Sequence, residues 1–284
     1  MLSMGERMIV SGGGLLRVYS VPEGRLVNSA PLAGSGALCC GNGRVYCACG
    51  RGGTVFALDA DTLTPRMMFA GGPGVCSMAY ACGRVYTLCG EGDGVLMLDG
   101  ETGSPLVFVR AGLSPAGVSL ADDGSLIVAG GEGSDVTCLC PHTLHTSSRN
   151  SMPWPVVSAV SRSGCRFALC MNDALLAELI VAGRDGSRQS LLLPGMPGAL
   201  AYDEKNERVL AAVCGGIYAI WPQGLRIAGF SPLPGSAGGV GSRLILGGGH
   251  VFFLDAACGV LWALLPGKSL LVCRDAADAA LLDT

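Results

Sequence analysis

Arg84–Arg110 reads RVYTLCGEGDGVLMLDGETGSPLVFVR. Short apolar runs are broken here by glycine pairs and by an Asp-initiated turn, which predicts strand, glycine hairpin, strand ending in Asp99, tight turn, strand. Forty residues earlier the chain spells almost the same pattern, RVYCACGRGGTVFALDADTLTPRMMF, from Arg44 to Phe69. A repeat of this period, built of short strands, is the sequence signature of a β-propeller.

Aligning the copies on the end of the third strand gives anchors at Ser20, Asp59, Asp99, Cys140, Ala182, Trp221 and Asp255, spaced by 39, 40, 41, 42, 39 and 34 residues. Seven anchors predict an all-β fold: a seven-bladed β-propeller of four-stranded antiparallel blades, one domain over residues 1–284. In the second blade the strands are expected at Ala37–Cys40, Arg44–Cys49, Thr54–Asp59 and Arg66–Phe69. The start of the chain offers only a second strand, MIVSGG, and a third, LLRVYS. The missing inner strand is expected from the C-terminus, with KSLLVCRD as the candidate, so that paired chain ends close the ring and remove exposed edges. Residues 276–284 are left open between a strand and a helical turn.

The turn acids have a structural explanation. Asp59, Asp99 and Asp255 open DADT, DGET and DAAC. An Asp at the first turn position accepts bonds from amides two or three residues on, so these carboxylates are assigned to turns, not to a reaction.

The phrases LMLDGETG, AGLSPAGVSL and ADDGSLIV, with FALDADT and GGPGVCSMA one blade earlier, resemble YVTN-type propeller repeats. The likeness lies in scaffold residues and implies a seven-bladed propeller, with little about activity. The Gly-His and Trp-Asp pairs of WD repeats are missing, so the relation to WD-like propellers stays at the level of the fold. Many YVTN-type proteins are secreted, whereas the start MLSMGERMIVSGGG has no apolar core long enough for a secretory signal.

Composition narrows the function. Charged residues make up 14% of the chain and the net charge is −3, so nothing draws a polyanion and nucleic-acid binding is not expected. Half of the residues are hydrophobic, yet no apolar run reaches the ~20 residues of a spanning helix, so no membrane association is expected. Fourteen Cys lie mostly inside strand-like runs. That usage suits a reducing compartment, and a cytoplasmic location is expected.

Catalytic constellations are weak. The channel-lining strands are expected to be ALCC, VCSMAY, GVSLA, VVSAVS, ALAYD, GGVG and SLLVC, which hold almost no ionisable groups. His142 and His145 fall in a turn after a third strand, and His250 is expected in a second-to-third hairpin. Cys49, Cys89, Cys170 and Cys214 recur near the ends of second strands, but equivalent sites in adjacent blades lie ~10 Å apart, too far for one ion. No catalytic residue, metal site or cofactor is therefore assigned.

What remains is binding. On one face a propeller gathers its second-to-third hairpins and its outer-to-inner connections. Here these carry Arg51, Glu91, Asp93, Glu132, Asp135, Asn172, Asp173 and His250, together with Met152 and Trp154. Trp154, between two prolines, is either an interface anchor or a cap on the core beneath it. The expectation is a non-catalytic scaffold that binds a protein or peptide through this loop-rich face. The alternative is a hydrolase or lyase acting on a small lactone-like molecule, which needs two or more acidic or His side chains converging at one channel mouth.

Overall fold

A computed structural model describes residues 7–21, 23–247, 250–265 and 268–282. Among the described residues twenty-eight strands form seven four-stranded antiparallel sheets, the blades of a seven-bladed β-propeller. In order from first strand to fourth, blade 1 comprises Asp278–Leu282, Arg7–Gly12, Leu15–Ser20 and Leu26–Pro31. Blade 2 is Ser35–Gly41, Arg44–Cys49, Thr54–Asp59 and Pro65–Ala70; blade 3 is Val75–Ala81, Arg84–Cys89, Gly94–Asp99 and Pro105–Arg110. Blade 4 is Gly117–Leu120, Leu126–Ala129, Asp135–Leu139 and Thr146–Ser151; blade 5 is Val156–Arg162, Cys165–Met171, Ala177–Ala182 and Arg188–Leu193. Blade 6 is Pro197–Asp203, Arg208–Val213, Gly216–Trp221 and Arg226–Pro232; blade 7 is Arg243–Gly247, His250–Asp255, Val260–Leu265 and Lys268–Arg274.

The chain divides into two compact units, one of residues 1–110, 245–254 and 259–284, the other of residues 111–244 and 255–258. In the first, separate apolar clusters join blade 7 to blade 1 (Met8, Phe252, Leu261), blade 1 to blade 2 (Ile9, Leu38, Leu58) and blade 2 to blade 3 (Tyr46, Met78, Leu98). In the second, one cluster joins blades 4 and 5 (Ile127, Val136, Ile180) and another joins blades 5 and 6 (Phe167, Leu200, Val209). The hydrophobic surface is thus buried blade against blade. Second strands such as Arg44–Cys49 are covered on both faces and lose their alternation, whereas fourth strands such as Pro105–Arg110 alternate between exposed and half-buried.

The Asp turns form as the sequence predicts. One carboxylate oxygen of Asp59 accepts the amides of Asp61 (3.1 Å) and Thr62 (3.0 Å) and the Thr62 hydroxyl (3.0 Å). Asp99 does the same with Glu101 (3.0 Å) and Thr102 (2.8 and 2.9 Å). The same five-residue turn follows Ser20 and Cys140: in all four copies the amide four residues on donates to the anchor's carbonyl, at 2.8 to 2.9 Å. That fourth residue is left-handed, and blades 1 and 3 use Gly24 and Gly103. Blades 2 and 4 instead place Leu63 (φ 57°) and Leu144 (φ 56°) there, each almost fully buried. A left-handed Leu costs about 1–2 kcal/mol, and burying its side chain returns about 1.5–3 kcal/mol, so the strained anchor is retained.

Amide donation to Asp59, seconded by Arg66, holds its carboxyl well below the usual carboxylate range; the Thr102 amide and then its hydroxyl lower Asp99. A lowered folded value stabilises the native state above the ordinary carboxylate range, about pH 3.9, and the stabilisation is lost as pH falls through the folded value. The melting temperature is therefore expected to drop between about pH 4 and pH 2. It should drop less steeply in an Asp59→Ala/Asp99→Ala double variant, and equal slopes in the two proteins would show that these turns do not couple to acid unfolding.

Three expectations are corrected. Asp255 ends the second strand of blade 7, not the third, so its spacing of 34 residues measures a different strand end. Its carboxylate is fully buried and accepts the amides of Ala237 (2.7 Å), Gly238 (3.4 Å) and Cys258 (3.2 Å). KSLLVCR is the fourth strand of blade 7, and the first strand of blade 1 is Asp278–Leu282, which pairs with Arg7–Ser11. The chain ends do share a blade, and the tail is a strand as far as Leu282; residues 283 and 284 lie outside the described residues. GGVG precedes the first strand of blade 7, which is Arg243–Gly247. Among the described residues no helix is long and apolar enough to cross a membrane.

Candidate functional site

The sequence-selected residues fall in both units. In the first, Arg51 and Glu91 are exposed and Asp93 half-buried, in the second-to-third hairpins of blades 2 and 3. Glycine makes these hairpins: at Gly53 (φ 67°) a Cβ would collide with the Gly72 carbonyl oxygen. His250 is corrected. It opens the second strand of blade 7, and so lies at the opposite end of that strand from the second-to-third connection. The misplacement follows from the slipped Asp255 anchor.

In the second unit the hairpins of blades 4 and 5 place Glu132 and Asp173 in solvent. Asp135 is tied down by the Ser151 hydroxyl at 3.0 Å and by Arg149 at 3.8 Å. The Asn172 side-chain oxygen accepts the amides of Ala174 and Leu176, both at 3.0 Å, so this residue shapes its turn. His142 and His145 are exposed in the turn after the third strand of blade 4.

The connection from blade 4 to blade 5, Met152–Pro155, carries the most differentiated geometry. Met152 is buried and packs into the cluster joining the two blades. Trp154 is half-buried against that cluster, and its indole N–H donates to Glu178 Oε2 at 2.8 Å. Glu178 lies on the third strand of blade 5, 24 residues further along the chain, a contact no local pattern announces. Beside it a cleft of about 350 Å³ is lined by Ser151, Met152, Pro153, Glu178, Ile180 and Arg188 to Ser190. Arg188 Nη2 donates to the Ser151 carbonyl at 2.9 Å and spans the two blades. The cleft thus has an apolar floor, Met152 and Ile180, with a carboxylate and a guanidinium on its walls. Apolar lining with a few polar groups is the usual make-up of a ligand-binding cleft.

The thiols separate by exposure. None of the fourteen is joined in a disulfide; Cys76, Cys82, Cys214 and Cys258 are exposed. Burial, and then the Glu178 charge, push the Cys170 thiol up to about 12, and burial raises Cys89. Iodoacetamide at pH 8 is expected to label the four exposed thiols of the native protein first. Peptide mass spectrometry checks this, and labelling of Cys170 as fast as Cys82 would contradict the packing.

No family model matches the chain, and no curated protein sequence matches it significantly. Solved structures match along its whole length. A "putative 6-phosphogluconolactonase" of Bacteroides fragilis aligns over 100% of this chain and 99% of its own, with a TM-score of 0.74 at 13% identity. Streptogramin B lyase aligns over 84% and 82%, with a TM-score of 0.66 at 11% identity. The computationally designed protein Ika8 aligns over 97% and 86%, with a TM-score of 0.72 at 13% identity. These likenesses show the propeller fold and no activity, because one architecture carries unrelated functions and a designed protein shares it.

Proposed function

We propose that the chain is a non-catalytic cytoplasmic scaffold that holds an extended protein or peptide segment in the cleft beside Trp154. The observation that carries this reading is the cleft itself: an apolar floor, Glu178 braced by the indole, and Arg188 bridging two blades. Fourteen cysteines outside any disulfide, four of them exposed, support a reducing compartment. The test is affinity purification of the tagged protein from its native lysate, with Arg188→Glu, Glu178→Gln and Trp154→Ala in parallel and folding checked by circular dichroism. A partner recovered in fixed stoichiometry, and reduced at least ~10-fold by Arg188→Glu, supports the cleft; loss of about 1.4 kcal/mol of binding produces that factor. A partner held equally by all three folded variants sinks it. Lactone turnover above buffer by the purified protein would overturn the non-catalytic reading in favour of a hydrolase or lyase.

A further inference from the structure

The second strand of blade 2 contains a pair that its sister strands lack. Cys47 and Cys49 stand two residues apart, so they leave the strand on the same face. Their sulfurs lie 3.9 Å from each other. Both belong to the apolar cluster joining blades 1 and 2, with Leu38, Val45 and Leu58. Cys47 is wholly buried, whereas Cys49, at the strand end before the exposed Gly50, keeps 7% exposure. At the matching places blade 1 has Val10 and Gly12, and blade 3 has Thr87 and Cys89. Packing in this slot therefore does not require two thiols.

We propose that Cys47 and Cys49 form a two-coordinate site for a soft monovalent cation, Cu(I). Soft thiolate ligands select Cu(I), while zinc asks for four converging donors. Among the described residues no three His, Cys, Asp or Glu side chains gather to hold a metal. Two metal–thiolate bonds of roughly 2.2 Å span at most about 4.4 Å, so the sulfurs need part by only ~0.5 Å to clasp one ion between them. Binding breaks two S–H bonds and forms two Cu–S bonds; two protons leave and no electron changes hands. The apolar surroundings disfavour Cu(II), which prefers nitrogen and oxygen donors.

The test is an anaerobic titration of the reduced full-length protein with Cu(I), using bicinchoninate as competing chelator. One equivalent is expected to leave the chelator, with a new Cu–thiolate absorbance in the near ultraviolet. Cys47→Val, which borrows the Val10 side chain, and Cys49→Ala are each expected to weaken binding about 100-fold, since each removes half of the ligand set. Cys89→Ala should change nothing. Circular dichroism confirms that the variants fold. Cu(I) left on the chelator by the parent protein, or a Cys47→Val/Cys49→Ala double variant that binds like the parent, overturns the site.

Discussion

Removal of the chain from Asp278 onward is expected to abolish the cooperative thermal transition of the propeller. Residues Asp278–Leu282 supply the first strand of blade 1, in register with Arg7–Ser11. Without them the second strand of that blade becomes a bare edge, although Met8, Ile9 and Val10 are fully buried there. Five backbone pairs at about 0.5–1.5 kcal/mol each amount to roughly 2.5–7.5 kcal/mol, which rivals the ~5–15 kcal/mol that holds a whole domain folded. Asp278 adds to the loss. Its side chain, 3% exposed, accepts the amide of Leu38 at 2.6 Å, on the first strand of blade 2. The backbone register slips between Ser35 and Leu38, which frees that amide from its own ladder for a side-chain acceptor. Asp278→Ala alone should therefore cost about 1–3 kcal/mol, the penalty of a buried donor without a partner. Differential scanning calorimetry checks both changes, and adding a peptide of residues 276–284 should restore the transition of the truncated chain. A truncated chain that melts like the parent would show that this strand is ornamental.

Much of this architecture was legible because the evidence for it is local. Strand, glycine hairpin and Asp turn are specified within five or six residues, and the repeat confirms each reading; the expected Arg44–Cys49 and Thr54–Asp59 match the observed strands to the residue. Blade 7 failed for a physical reason. Its second strand, HVFFLD, ends in the same Leu-Asp as the third strands of blades 2 and 3, VFALD and VLMLD. Second and third strands are both covered on two faces, so hydrophobic pattern does not distinguish them. The shift carried His250 to the wrong hairpin and made KSLLVCR a first strand. Trp154 was picked out by composition, but its partner Glu178 was hidden, because contacts between blades depend on packing across about two dozen residues of sequence.

The tyrosine of the opening RVY stretches gives the second large expectation. Tyr46 is fully buried, stacks on Tyr80 with ring centroids 5.6 Å apart, and donates its hydroxyl to the Gly100 carbonyl at 2.9 Å. Arg44 Nη1 donates to the same carbonyl, also at 2.9 Å, and Nη2 reaches Glu101 at 2.7 Å. Tyr46 and Arg44 of blade 2 thus together hold the Asp99 turn of blade 3, while burial pushes the Tyr46 phenol up to about 12 and keeps its hydroxyl a donor at any physiological pH. Tyr46→Ala is expected to cost about 3–5 kcal/mol, the usual toll of emptying a large aromatic site. Tyr46→Phe removes only the hydroxyl. The Gly100 carbonyl keeps its Arg44 donor, so about 1 kcal/mol should be lost. Urea unfolding of the two variants separates these contributions: a large loss confined to Tyr46→Ala assigns the coupling of the blades to packing. If Tyr46→Phe loses as much, the hydrogen bond to the turn is what joins them, and the stacked rings are secondary.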